Sequence, residues 1–126
     1  IAALNRVKYS FNPYNVNRLS MVAGTAAMED EDYFRACTAA VCSSRAWTVQ
    51  ELEKLGFTVL PSQTNFIFAG TDAIPGGELY RRLKESGILV RWFDADRIRN
   101  FVRITIGSQA QMTALVNAIA GLLQNR

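Results

Sequence analysis

The chain has 126 residues, 49% of them hydrophobic and 20% charged, with a formal net charge of +3. Those values sit close to globular averages and exclude disordered, collagen-like and low-complexity chains. At this length a single domain buries about two thirds of the surface its unfolded form exposes, so no disulfide or metal staple is needed. Histidine is absent. That removes imidazole general catalysis, Ser-His-Asp and Cys-His nucleophiles and imidazole metal ligands from these residues.

Arginine supplies most of the positive charge, with eleven Arg against three Lys. The one adjacent basic pair, Arg81-Arg82, is flanked by Glu78 and Glu85. Nucleic-acid modules cluster their cations, so no nucleic-acid partner is expected. Cys37 and Cys42 fall on different sides of a helix and cannot bridge each other. Without histidine or further cysteine they make no zinc site, and no metal is expected. They are read as small buried hydrophobes in a reducing cytoplasm. No signal peptide is visible. The uncharged run from Ile104 to Asn125 changes period midway, which fits a strand and an amphipathic helix better than a membrane span. Ile1 in first place is read as a cut edge, so a fragment is expected.

In chain order, residues 1–16 read as a polar-aromatic stretch with a turn at Asn12-Pro13-Tyr14-Asn15. Asn17 is placed to cap a short helix through Leu19, Val22, Ala23 and Ala26. The acidic run Glu29 to Asp32 suits the start of a second helix. Phe34, Cys37, Val41, Ser44, Thr48, Leu52 and Leu55 carry that helix forward, and Gly56 stops it. From Asp30 to Leu55 it measures roughly 38 Å at 1.5 Å per residue. Strands of five or six residues span only about 17–20 Å, so the helix must overhang any sheet built here.

Strands are expected at Thr58–Leu60 and Asn65–Ala69. A breaker-rich link from Asp72 to Gly77 leads to a helix burying Leu79 and Leu83, which Gly87 ends. Strands at Ile88–Phe93 and Phe101–Ile106 follow. A last helix starts with Ser108 and Gln111 in capping-box spacing and presents Met112, Leu115, Val116, Ile119, Leu122 and Leu123 on one face. This order predicts an α/β (α+β) sandwich, a small sheet with helices on one face.

The last two strands carry the most informative pattern. A hairpin centred on Arg97 places Arg91 opposite Arg103. Val102, Ile104 and Ile106 form an apolar face with Ile88, Val90 and Trp92. Arg91 and Arg103 fall on the other face, among Leu89, Phe93, Phe101 and Thr105. Two guanidinium groups there suit an anion held between them, since the arginine fork matches carboxylate and phosphate. An open sheet face with both arginines in water is the plain alternative.

Four segments, in one order across nearly the whole chain, carry a resemblance. They are Arg6 to Ser20 (RVKYSFNPYNVNRLS), Leu60 to Ile67 (LPSQTNFI), Gly87 to Phe93 (GILVRWF) and Val102 to Gly107 (VRITIG). Together they resemble the C-terminal third of histidinol-phosphate aminotransferases. Positions 13 and 15–17 depart from that pattern, reading Pro and Asn-Val-Asn where many members have Ser and Pro-Leu-Asp.

The resemblance implies the small C-terminal domain of a fold-type I pyridoxal-phosphate transferase. Residues 1–29 would be an arm and short helix from the large domain or dimer interface, and 30–126 the small domain. It implies a cytoplasmic homodimer, a large cofactor-binding domain as partner, and amino-acid and phosphorylated small-molecule substrates. Arg103 matches the family's arginine for the substrate α-carboxylate, and Arg91 the one that helps hold the substrate phosphate. Tyr14 and Asn15 would lie near the active site at the dimer interface, or form a plain turn. Asn65 would line the cleft, or simply start a strand. Pyridoxal 5'-phosphate is implied for the full-length enzyme, with none bound here and no catalytic residue here. Lys8, Lys54 and Lys84 match no Schiff-base motif, so the chain alone is expected to be inactive. Other class I/II aminotransferases, phosphothreonine decarboxylases and a free-standing anion-sensing module remain as alternatives.

Overall fold

The computed structural model describes residues 1–11 and 14–124, with backbone only at Phe11. Asn12 and Pro13, the centre of the expected turn, lie outside the described residues. The chain divides into two compact units, Ile1–Ala36 and Cys37–Arg126.

The first unit is helical. Helix α1 spans Ala2–Phe11 where a polar-aromatic stretch was expected. Its apolar positions Leu4, Val7 and Phe11 recur at helical spacing, but no capping residue announces the start. Helix α2 spans Arg18–Glu29 and begins as its sequence dictates. Asn17 stands in extended conformation, and its side chain accepts from the Ser20 N–H at 2.8 Å. Helix α3 spans Glu31–Lys54. Asp30 caps it by accepting the Tyr33 N–H at 3.2 Å, and Arg35 pairs with Glu31 one turn back at 2.5 Å. No described residue among positions 1–40 is buried.

The second unit takes over within α3, whose buried side chains are Ser44, Thr48 and Leu52. Thr48 is fully buried, and its hydroxyl donates to the Ser44 carbonyl at 2.7 Å, which satisfies a polar group that burial would otherwise penalise. Gly56 (φ +81°) ends the helix in the left-handed region that a Cβ disfavours. There the Phe57 N–H donates back to the Leu52 carbonyl at 3.0 Å, which closes the helix end.

Four strands follow: β1 Thr58–Leu60, β2 Phe66–Gly70, β3 Arg91–Trp92 and β4 Phe101–Thr105. Between β2 and β3 lies α4, Gly76–Glu85, and α5, Gln109–Gln124, follows β4. The sheet is antiparallel in the order β1-β2-β4-β3. Alternation assigns its faces. Ile67, Ala69, Val102 and Ile104 are buried together with Leu52 of α3, Leu79 and Leu83 of α4, and Leu115 and Ile119 of α5. Phe66, Arg103, Thr105 and Arg91 occupy the opposite face and are exposed. Helices therefore cover one face, as the pattern predicts.

Two details differ from expectation. Strand β3 is only two residues long, because the chain at 88–90 leaves the ladder before reaching Arg91. Cys37 and Cys42 are exposed rather than buried: the buried side chains of α3 begin only at Ser44, and Cys42, two positions earlier, lies on the opposite side of the helix. The capping box of α5 forms as its spacing requires. The Ser108 N–H donates to Gln111 Oε1 at 2.9 Å, and the Gln111 N–H donates to Ser108 Oγ at 3.3 Å. No described helix is long and apolar enough to cross a membrane.

Candidate functional site

The candidate site is the open face of the sheet, where the two arginines meet. Strand β4 pairs with β3 in the register Arg91↔Arg103 and Trp92↔Val102, so the two guanidinium side chains leave directly opposed positions on one face. The central pairing of β2 with β4 sets Phe68 across from Arg103 and Phe66 across from Thr105. Aromatic rings thus surround the arginines. The Arg103 guanidinium lies over the Phe66 ring at 5.2 Å, and that of Arg91 over the Phe93 ring at 5.1 Å. Phe68 and Phe101 stack beside them at 5.1 Å.

Electrostatics set this pair apart from the ion-paired arginines of the helices and the 94–100 link. Arg35, Arg81, Arg82 and Arg99 each meet a carboxylate within ion-pair distance. Among the described residues, Arg91 and Arg103 meet none. Opposed like charges in a sheet cost up to about 1 kcal/mol. Two exposed cation–π contacts at about 0.5–1 kcal/mol each offset that. The sheet can therefore hold two unneutralised guanidinium groups side by side with both forks free. Such a surface can accept a carboxylate and a phosphate in bidentate fashion.

Asn65 stands one position before Phe66, and its carbonyl accepts the Ile106 N–H at 2.8 Å. That bond extends the β2–β4 ladder, but strand alternation leaves Asn65 out of step with the arginine face. Its neighbours are fixed from α3, where Arg45 Nη1 donates to the Thr64 carbonyl at 2.5 Å. Tyr14 and Asn15 belong to the first unit, where both are exposed. The sequence pattern set Phe93 on the arginine face, but it did not single out Phe66. The signal was available in strand alternation, which sets Phe66 on the face of Phe68 and hence of Arg103.

The family model for Aminotransferase class I and II matches residues 2–119. The chain belongs to the class I and II aminotransferases. It is 42% identical over 123 residues to the histidinol-phosphate aminotransferase of Clostridium botulinum (strain Okra / Type B1), covering 98% of this chain and 35% of that protein. Identity to the Brachyspira hyodysenteriae histidinol-phosphate aminotransferase is 43% over 125 residues, or 99% of this chain and 35% of that one. The chain thus spans about a third of the length of these relatives.

Among solved structures, the histidinol-phosphate aminotransferase from Clostridium acetobutylicum superposes with a TM-score of 0.77 at 26% identity, covering 97% of this chain and 38% of that one. The enzyme from Sinorhizobium meliloti, in complex with pyridoxal-5'-phosphate, gives 0.77 at 27%, covering 90% and 32%. The small antiparallel sheet with helices on one face is thus part of the aminotransferase fold.

A pyridoxal cofactor is held through a lysine imine. The three lysines of this aminotransferase chain do not fit that task. Lys8 lies over the Tyr9 ring at 5.5 Å, Lys54 pairs with Glu51 at 2.6 Å, and Lys84 lies over Tyr80 at 6.0 Å. All three are exposed on helices. Among the described residues, no group of His, Cys, Asp and Glu could hold a metal ion.

Proposed function

We propose that this chain is the small-domain portion of a histidinol-phosphate aminotransferase. The reaction would exchange an amino group between glutamate and imidazole-acetol phosphate, as a step of histidine biosynthesis. Residues 30–126 form the small domain, and residues 1–29 an arm toward the large domain and a partner subunit. The enzyme is a cytoplasmic homodimer, and its pyridoxal 5'-phosphate is held by the two thirds of the enzyme outside this chain. Arg103 binds the α-carboxylate of glutamate, and Arg91 binds the phosphate of the ketone substrate. Tyr14, Asn15 and Asn65 are neighbours of the completed cleft.

The observation that carries this reading is the direct opposition of Arg91 and Arg103 on the uncovered sheet face, with no carboxylate of the described residues in an ion pair with either. One anchor suits the carboxylate of the donor and the other the phosphate of the acceptor, so a single surface can serve both half-reactions. Identity above 40% to proteins of that name along nearly the whole chain favours it over other class I and II activities.

The test is Arg103→Lys in the full-length enzyme. An ammonium cannot reproduce the bidentate fork, so kcat/KM for glutamate should fall about a hundredfold. Unchanged kinetics would remove Arg103 from the site. The isolated chain, mixed with pyridoxal 5'-phosphate and reduced with borohydride, should carry no cofactor on a lysine. A labelled lysine in this chain would overturn the assignment of the cofactor to the rest of the enzyme.

A further inference from the structure

We propose that Trp92 is a positioning residue that holds Arg91 beside Arg103, and that the Gly76-Gly77 pair exists to admit it. The inference rests on the reading of the arginine pair as an anion site. Strand β3 is held to β4 by only two residue pairs, one of them the opposed arginines. So short a ladder with like charges at its end needs another restraint. Trp92 provides it across the 94–100 link, where its Nε1–H donates to the Arg99 carbonyl at 2.7 Å. Its ring stacks on Tyr80 of α4, with centroids 6.4 Å apart and planes at 24°.

The start of α4 is cut to receive this arrangement. A Cβ on Gly77 would stand 3.0 Å from Trp92 Cζ2, and one on Gly76 would stand 2.5 Å from the Arg99 carbonyl oxygen. The Arg99 side chain draws in Asp96 at 2.5 Å and Asp94 at 3.7 Å. The same residue therefore anchors the indole and neutralises the two carboxylates nearest Arg91 in the chain. An anion approaching Arg91 then meets less repulsion.

Two variants of this 126-residue chain test the proposal. Trp92→Phe keeps the ring stack and removes the donor. Gly77→Ala pushes the ring by a few tenths of an ångström and leaves the Trp92 side chain chemically unchanged. Inorganic phosphate is titrated while the side-chain Nε–Hε signals of Arg91 and Arg103 are followed by NMR, with backbone amide exchange as a second readout. In the wild type both arginine signals should move. In Trp92→Phe the Arg91 response should weaken about fivefold, the worth of one lost hydrogen bond; in Gly77→Ala it should weaken as well, and in both the Arg91 amide should exchange faster. The Arg103 response should stay near wild type, and the melting temperature should fall by no more than a few degrees.

Variants that titrate like the wild type at Arg91 would overturn the positioning role. If Trp92→Phe perturbs the whole sheet, Gly77→Ala decides by the same criterion. If phosphate moves neither arginine in the wild type, the anion reading fails instead. Amide exchange at Arg91 then judges Trp92 alone: faster in the variants supports its positioning role, unchanged overturns it.

Discussion

Arg103 and Phe66 show how one side chain prepares another. The ring beneath the guanidinium limits where the fork can point, and it does so from a neighbouring strand. Phe66→Leu should keep the sheet folded, because Phe66 lies on the uncovered face. It should loosen the fork and raise KM for glutamate several-fold in the full-length enzyme, about the 0.5–1 kcal/mol of an exposed cation–π contact. Steady-state kinetics with glutamate as the varied substrate checks this, and an unchanged KM would sever the link. The opposition of Arg91 and Arg103 was legible in the sequence because two strands alternate independently and a short link sets their register. Strand alternation also puts Phe93 and Phe66 on the arginine face, but the indole bond to the Arg99 carbonyl was not legible. It depends on which atoms meet across a link, and no periodicity encodes that.

At the scale of elements, local chemistry decided most boundaries. Asn17, Asp30 and Ser108 each satisfy backbone donors at a helix start, and Gly56 and Gly87 take positive φ at helix ends. Gln111→Ala should remove half of the α5 capping box and cost about 1 kcal/mol, read as a lower urea midpoint at unchanged slope. Ile119→Ala, in the buried stripe of the same helix, should cost about 2–5 kcal/mol because it leaves a cavity between α5 and the sheet. If the two variants unfold at the same midpoint, burial does not dominate this helix. Helix α1 escaped the sequence reading because it starts without a cap. Strand β3 was drawn too long because apolar alternation at 88–92 looks the same whether or not a partner strand is within reach. The cysteines were misplaced for a related reason. A helical stripe marks one side of α3 along its whole length, whereas its buried side chains are Ser44, Thr48 and Leu52 and none of the residues at 31–40 is buried.

Across the whole molecule, the sheet unit has a conventional core, while the described residues at 1–36 have none. Leu19, Met21, Val22 and Met28 of α2 are all more than half exposed. An apolar surface of that kind marks an interaction site. Under the proposed function it meets the large domain and a partner subunit, so the isolated chain should self-associate. Sedimentation at rising concentration should show a dimer or larger species, and replacing Val22 and Met28 together with Glu should return a monomer. A wild-type monomer at every concentration would contradict the assignment of this surface.

The central claim is that one sheet face serves both substrates, with the phosphate at Arg91 and the carboxylate at Arg103. Its most direct test is the pair of half-reactions in full-length Arg91→Lys, each followed in a single turnover. The account predicts that amino-group transfer to the phosphorylated ketone slows at least about tenfold while transfer from glutamate stays near wild type, since only the phosphate loses its bidentate partner. Equal slowing of both half-reactions, or of neither, would contradict it.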